Sequence, residues 1–199
     1  MHKMDRRKWR IMTAQNPSDE TYLALLRGIN VGGKNIIKMA DLRSCFEAEG
    51  FRDVTTFIQS GNVIFRSPST GLRILTKKIE GILSEAFDYE ASVVMRSRKQ
   101  MRAVVSDAPA GFGEQPETYR YDVIFLKALL TATAAMEDVP TRPGVDEAWA
   151  GTGVLYFSRR IDQASRSYLS RLASMPVYQR VTVRNWNTTT RLLELMESD

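Results

Sequence analysis

Tyr22 to Leu26 is an apolar run that ends on Arg27 and a glycine-rich stretch, a pattern that predicts a strand over 22–27 followed by a loop. Beyond the loop, Met39, Leu42, Cys45 and Phe46 recur at helical spacing, so a helix is expected over 39–49, stopped by Gly50. Two further runs, 54–59 and 63–66, are separated only by Ser60, Gly61 and Asn62, which reads as a hairpin. After Pro68, the residues Leu72, Leu75, Ile79, Ile82, Leu83 and Ala86 mark one face of a second helix, and 91–95 gives a fourth strand. The order β-α-β-β-α-β is the split unit of ferredoxin-like folds.

The remaining chain repeats this order. Ser97 with Gln100 three residues on is a capping-box signature and opens an inserted helix. A strand over 121–127, a short helix over 131–137 and a hairpin of 147–150 with 154–157, turned by Gly151, Thr152 and Gly153, come next. A helix over 163–173, a strand over 180–183 and a terminal helix starting near Asn187 complete the pattern. The expected fold class is α+β, with duplicated ferredoxin-like units, antiparallel sheets, an inserted helix and a C-terminal helix. Residues 1–20 read as a disordered basic tail, 21–96 as the first half and 97–199 as the second, packed with the first as one globular unit. The stretches 111–116 and 140–144 are loops too short to be free linkers.

Composition adds exclusions. No stretch approaches the ~20 apolar residues of a membrane span, no apolar run near the N-terminus resembles a signal-peptide core, and the single Cys45 cannot form an internal disulfide. A cytoplasmic location without membrane association is expected. The net charge is +5 and the pI about 9.4, but residues 1–10 carry five basic side chains against Asp5, leaving the other 189 residues at only +1. The sole histidine, His2, lies in that segment. Catalytic triads built on histidine and imidazole-bound zinc or iron sites are therefore not expected in the folded body, and no carboxylate cluster has calcium- or magnesium-loop spacing. Neither metal nor cofactor is expected, and any catalysis would fall to Asp, Glu, Lys, Tyr or the substrate itself. Cys45, set among apolar helical positions, reads as a small buried hydrophobe.

Three polar blocks are candidates for a site. Gly28, then four residues, then Gly33 and Lys34 match the spacing of a phosphate-binding loop, but Asn35 stands where a magnesium-binding Ser or Thr belongs. Glycines that permit positive φ are the simpler account of Gly28 and Gly33. In a split β-α-β sheet, however, the end of the first strand and the hairpin between the second and third lie on one edge. Arg27, Asn30, Gly32, Gly33, Lys34 and Asn35 should thus face Gln59, Ser60 and Asn62, offering cations and glycine-turned amides to an anion. The equivalent edge of the second half, with Ala128, Leu129, Leu130 and Gly151 to Gly153, has no comparable polar set. Arg184 and Asn185 form the third block with Trp186, Asn187 and Thr188. There Asn187 reads as a helix N-cap, Trp186 as core, and Arg184 beside a helix N-terminus as a possible anion contact.

The segments ALLRGINVGGKNIIKMADLR, FIQSGNVIF and VTVRNWNTTTRLLEL together resemble a widespread bacterial family described only as a domain of unknown function. The resemblance covers residues 21–199 and implies the duplicated ferredoxin-like architecture, but no activity, cofactor or catalytic residue. Three function classes remain open. The first is binding of a small anionic metabolite or nucleotide, with or without catalysis, at the edge of the 27–35 loop and the 59–62 hairpin. The second is a nucleic-acid-binding module using the basic tail, and the third a protein-interaction or structural role.

Overall fold

The strands form where the apolar runs fall, and each half of the chain builds its own sheet. The computed structural model describes residues 19–31, 33 and 35–198. β1 (Asp19–Leu26), β2 (Arg52–Phe57), β3 (Asn62–Pro68) and β4 (Val93–Ser97) form an antiparallel sheet in the order β2-β3-β1-β4, with α1 (Met39–Ala48) and α2 (Leu72–Phe87) on one face. α3 (Arg98–Ser106) follows, opened by the capping box of Ser97 and Gln100. β5 (Tyr119–Leu126), α4 (Ala132–Asp138), β6 (Asp146–Gly151), β7 (Val154–Arg160) and β8 (Val181–Asn185) then build a second antiparallel sheet in the order β6-β7-β5-β8. α5 (Trp186–Glu197) ends the described chain. The fold is α+β, with one strand order used twice.

Alternation along β1 decides which core each residue enters. Tyr22, Ala24 and Leu26 point to α1 and α2 and pack with Phe46, Phe65, Ile79 and Leu83. Leu23 and Leu25 point the other way, into a layer shared by both halves. There they meet Ile64 and Val94 from the first sheet, Val123, Phe125 and Tyr156 from the second, Met101 and Val104 of α3, and Leu192 and Met196 of α5. A third core lies beneath the outer face of the second sheet, around Ile124, Leu126, Phe157 and Leu172. Among the described residues no helix is long and apolar enough to cross a membrane.

Three elements differ from the sequence expectation. β1 already includes Asp19 and Glu20, assigned above to the tail. Asp19 pairs with Pro68 in the ladder, and its carboxylate forms an ion pair with Arg52. The helix expected over 163–173 is instead a run of 3-10 segments, Ile161–Arg166, Tyr168–Ser174 and Pro176–Arg180. Serine hydroxyls compete for its backbone: Ser170 donates to the Ser167 carbonyl (2.6 Å), Ser174 to that of Arg171 (2.7 Å), and Pro176 has no N–H to give. Finally, α5 is capped by Asn185 rather than Asn187, because Asn185 ends β8 in extended geometry and its side-chain oxygen accepts from the Thr188 N–H (2.7 Å).

Two buried arginines join the halves in a reciprocal manner. From β8, Arg184 donates through Nη2 to the carbonyls of Leu26 and Ser60 (both 2.9 Å) and through Nε to the side-chain oxygen of Asn62 (2.5 Å). From β4, Arg96 donates through Nη2 to the carbonyls of Leu126 (3.0 Å) and Gly153 (2.6 Å). Each arginine therefore ties the end of the other half's first strand to that half's hairpin. Both are almost fully buried, at 7% and 8% exposure, and bind neutral acceptors rather than a carboxylate. Burial pushes both guanidinium pKa values down to about 10, which still leaves them charged at neutral pH. Arg184→Ala strands two carbonyls and an amide oxygen in a sealed site, and is expected to lower the unfolding free energy by about 3 kcal/mol. Arg43→Ala, which breaks an exposed pair with Glu47, should leave the urea midpoint within error. Urea denaturation of both variants checks the contrast.

Candidate functional site

The structure gathers Arg27, Asn30, Asn35, Gln59, Ser60, Asn62 and Arg184 at one edge, where most of their polar groups turn inward, whereas Asn185 is spent on capping α5. Asn30 adopts left-handed geometry (φ 53°), which Asn tolerates better than most residues. Its side-chain oxygen accepts from the Ile37 N–H (2.8 Å), and its amide donates to the carbonyls of Ile37 (3.0 Å) and Gln59 (2.9 Å). Asn35, also left-handed, donates to the Gly28 carbonyl (3.0 Å). Asn62 is fully buried and donates to the Phe57 carbonyl (2.9 Å) and the Ser60 hydroxyl (3.0 Å) while receiving Arg184. These side chains shape the loop and the hairpin and lock one to the other.

Two groups at this edge have a different character. The exposed Gln59 side chain has no hydrogen-bond partner among the described residues. Arg27 lies over the Tyr178 ring, 4.6 Å from its centroid, with a buried Nε that has no acceptor. Gly32 and Lys34 lie outside the described residues. The two glycines of the phosphate-loop spacing have positive φ (70° at Gly28, 73° at Gly33), yet a Cβ on either would meet nothing within 4 Å. Close packing falls instead on Gly61, where a Cβ would stand 2.6 Å from Ile29 and 2.8 Å from Leu26. The loop also differs from a nucleotide loop in context. α1 begins only at Met39, and β1 runs antiparallel to both neighbours.

The second half's corresponding edge holds a cavity of about 480 Å³. Most of its polar side chains come from α2, β4 and α3, with Lys127 and Thr152 added from the second sheet's loops. Arg73, Thr76, Lys77 and Glu80 of α2, Arg96 of β4 and Gln100 of α3 line it against Leu126, Lys127, Leu129, Leu130 and Gly153. Lys127 occupies the place in this half that Arg27 holds in the other. The Arg27 N–H donates to the Ser92 carbonyl (3.0 Å) and the Lys127 N–H to that of Arg180 (2.9 Å), each directly after its half's first strand. Arg27 closes its edge by stacking on Tyr178, whereas Lys127 pairs with Glu80 (2.6 Å) and donates to Ser92 (3.1 Å), leaving open space beside it. Arg73 and Lys77, one turn apart on the exposed side of α2, have no ion-pair partner among the described residues.

Leu129, at the cavity's edge, is 92% exposed and holds φ 74°, a conformation that bulky side chains rarely adopt. A sequence signal for this site existed in an arginine within each half's last apolar strand, Val-Met-Arg96 and Thr-Val-Arg184. Nothing in the spacing tells which arginine faces a cavity. Among the described residues no group of three or more His, Cys, Asp or Glu is placed to hold a metal ion, and His2 lies outside them. The half-buried Cys45 packs on the first-half core, where burial, and then the Glu49 charge, push its thiol pKa up, away from the reactive thiolate.

A family model described as a protein of unknown function (DUF1697) matches residues 20–156. A solved structure of a conserved bacterial protein from Streptococcus pneumoniae is similar at 25% sequence identity and a TM-score of 0.78, covering 90% of this chain and 99% of that one. No curated protein matches the chain.

The inward hydrogen bonds of the glycine edge give it a measurable weight in stability. Asn30→Ala, which removes three bonds, is expected to cost about 2 kcal/mol. Gly61→Ala should cost at least as much, about 2–3 kcal/mol, since strain adds to a backbone-proximal clash, while Gly33→Ala meets only the strain, about 1 kcal/mol. Chemical denaturation of the three variants tests this order.

Proposed function

The chain belongs to the DUF1697 family of proteins of unknown function, and we propose that it binds an amphipathic organic anion in the cavity between α2, β4 and the end of β5. The observation that carries this reading is the cavity's division of character. Leu72, Met95, Leu126 and Leu130 give it apolar walls, and Arg73 and Lys77 supply a cationic side with no carboxylate partner among the described residues. Its volume lies within the 300–1,000 Å³ typical of small-molecule sites. Glu80 does not cancel this charge, because it is already engaged by Lys127 and by the Val93 N–H (2.9 Å). Arg96, buried and bound only to carbonyls, adds a further uncompensated positive charge to the lining. An acyl chain with a carboxylate or phosphate head satisfies both sides at once.

The strained, exposed Leu129 supports the same reading. Left-handed geometry at a bulky residue costs of order 1–3 kcal/mol and concentrates at ligand clamps. Here it holds an apolar side chain at the cavity where a bound acyl chain would cover it. The single cysteine, Cys45, is in keeping with action in a reducing cytoplasm.

Decyl phosphate and decanol, titrated calorimetrically, separate the contribution of charge from that of the chain. The phosphate is expected to bind at least about tenfold more tightly, with Arg73→Glu and Lys77→Glu each weakening it by about tenfold, the scale of a charged hydrogen bond. Ala103→Phe, which fills the cavity from α3, should abolish binding in a protein that still unfolds cooperatively. Undiminished binding to that folded variant would overturn the proposal.

A further inference from the structure

The mouth of the cavity between α2, β4 and the end of β5 carries features that a site for a freely dissolved ligand does not need. Among the residues that both line the cavity and are exposed, Arg73, Lys77, Gln100, Ala128, Leu129 and Thr152, two are cations and none is a carboxylate. Leu129 is the most exposed large apolar side chain among the described residues, at 92%. It stands third in the turn 127–130, closed by the Leu130 N–H on the Lys127 carbonyl (3.1 Å), a position where positive φ calls for Gly or Asn. Leucine there costs backbone strain and offers its whole side chain to water.

Two further side chains extend the rim beyond the lining. Ile74, 66% exposed, precedes Lys77 by three residues on α2, so the two are neighbours on the helix surface. Lys99 precedes the cavity-lining Ala103 by four residues on α3, and it is exposed with no hydrogen-bond or ion-pair partner among the described residues. The mouth thus joins two projecting apolar side chains, from separate elements, to the unpaired cations Arg73, Lys77 and Lys99. A rigid protein partner matches a continuous apolar patch, whereas a bilayer accepts isolated apolar tips and meets nearby cations with its anionic head groups. An acyl chain with an anionic head, the ligand class of the cavity, is itself at home in such a bilayer.

We propose that this mouth docks on an anionic lipid bilayer, with Leu129 and Ile74 entering the interface and Arg73, Lys77 and Lys99 meeting the head groups. Docking of this kind rests on the cavity reading for what passes the mouth, an amphipathic anion drawn from the lipid. It needs no spanning segment, so the sequence expectation of no membrane association gives way to peripheral contact. Sedimentation of the full chain with vesicles of equal parts phosphatidylcholine and phosphatidylglycerol, and with phosphatidylcholine alone, tests it. Binding to the mixed vesicles is expected to be at least about tenfold tighter. Leu129→Asn suits the turn and should hold or raise the melting temperature, yet weaken vesicle binding about tenfold. Lys99→Gln should weaken it about fivefold. Ile74→Gln, outside the lining, should also weaken it about fivefold while leaving decyl phosphate binding as it is. A chain that binds decyl phosphate but does not sediment with the mixed vesicles overturns the docking alone. Sedimentation that depends on Leu129 and Ile74, in a chain that ignores decyl phosphate, upholds the docking and overturns the cavity reading. Sedimentation unchanged in Leu129→Asn and Ile74→Gln places the contact elsewhere, the basic residues 1–10 included, and overturns the proposal.

Discussion

Arg184 and Arg96 each cross from one half of the chain to the other, and the rest of the structure is arranged around that exchange. A buried guanidinium without a carboxylate must have its N–H groups met by neutral acceptors, and the acceptors it finds are the carbonyls where a strand ends and a hairpin turns. These carbonyls lie where the ladder stops, and that of Gly153 accepts a second bond beside the one from the Leu126 N–H. The need is therefore reciprocal: the strand ends lack donors, and the arginine needs acceptors. Leu26 and Leu126 fill the same place in their halves, each donating its own N–H to a hairpin glycine, Gly61 (2.8 Å) and Gly153 (3.0 Å). The shared apolar layer presses the two sheets together, and the arginines fix their register.

What distinguishes the two edges is the side chain that follows each clamp. Arg27 lies on Tyr178, supplied by the last 3-10 segment, and the planar stack fills the space. Lys127 meets Glu80 from a regular α-helix, and a flexible ammonium beside a carboxylate leaves room that the stack does not. The 3-10 run and the α-helix occupy corresponding places in the two halves. The serine-rich stretch and Pro176 that break the helix in the second half are thus coupled to a closed edge in the first. The intact α2 lends Arg73 and Lys77 to a cavity in the other half.

The polar residues of the glycine loop show how a motif-like stretch serves architecture. Asn30, Asn35 and Asn62 supply amides in both senses, donor and acceptor, where the backbone reverses too sharply to bond itself. Their chemistry at this edge is the chemistry of a β-ladder carried out by side chains. The same logic places Asn185 at the start of α5, where one residue ends a strand and caps a helix.

The sequence by itself determined the element order, the two antiparallel sheets and the capping box at Ser97, because hydrophobic periodicity and short-range turn chemistry are local, and the split β-α-β topology then implied the meeting of the 27–35 loop with the 59–62 hairpin. It failed over 161–180, where serine hydroxyls, a proline and packing beneath the second sheet outweigh the helical spacing of Leu169 and Leu172. Tertiary structure alone decided which polar groups are satisfied and which face open space. Arg184 and Asn62 are 122 residues apart, and nothing near either announces the other. The cavity's cationic side and its apolar far wall come from different halves, as do the two partners of each clamp. A site made by docking two sheets has no signature in either, because its hydrogen bonds and its emptiness arise only when both surfaces are brought together.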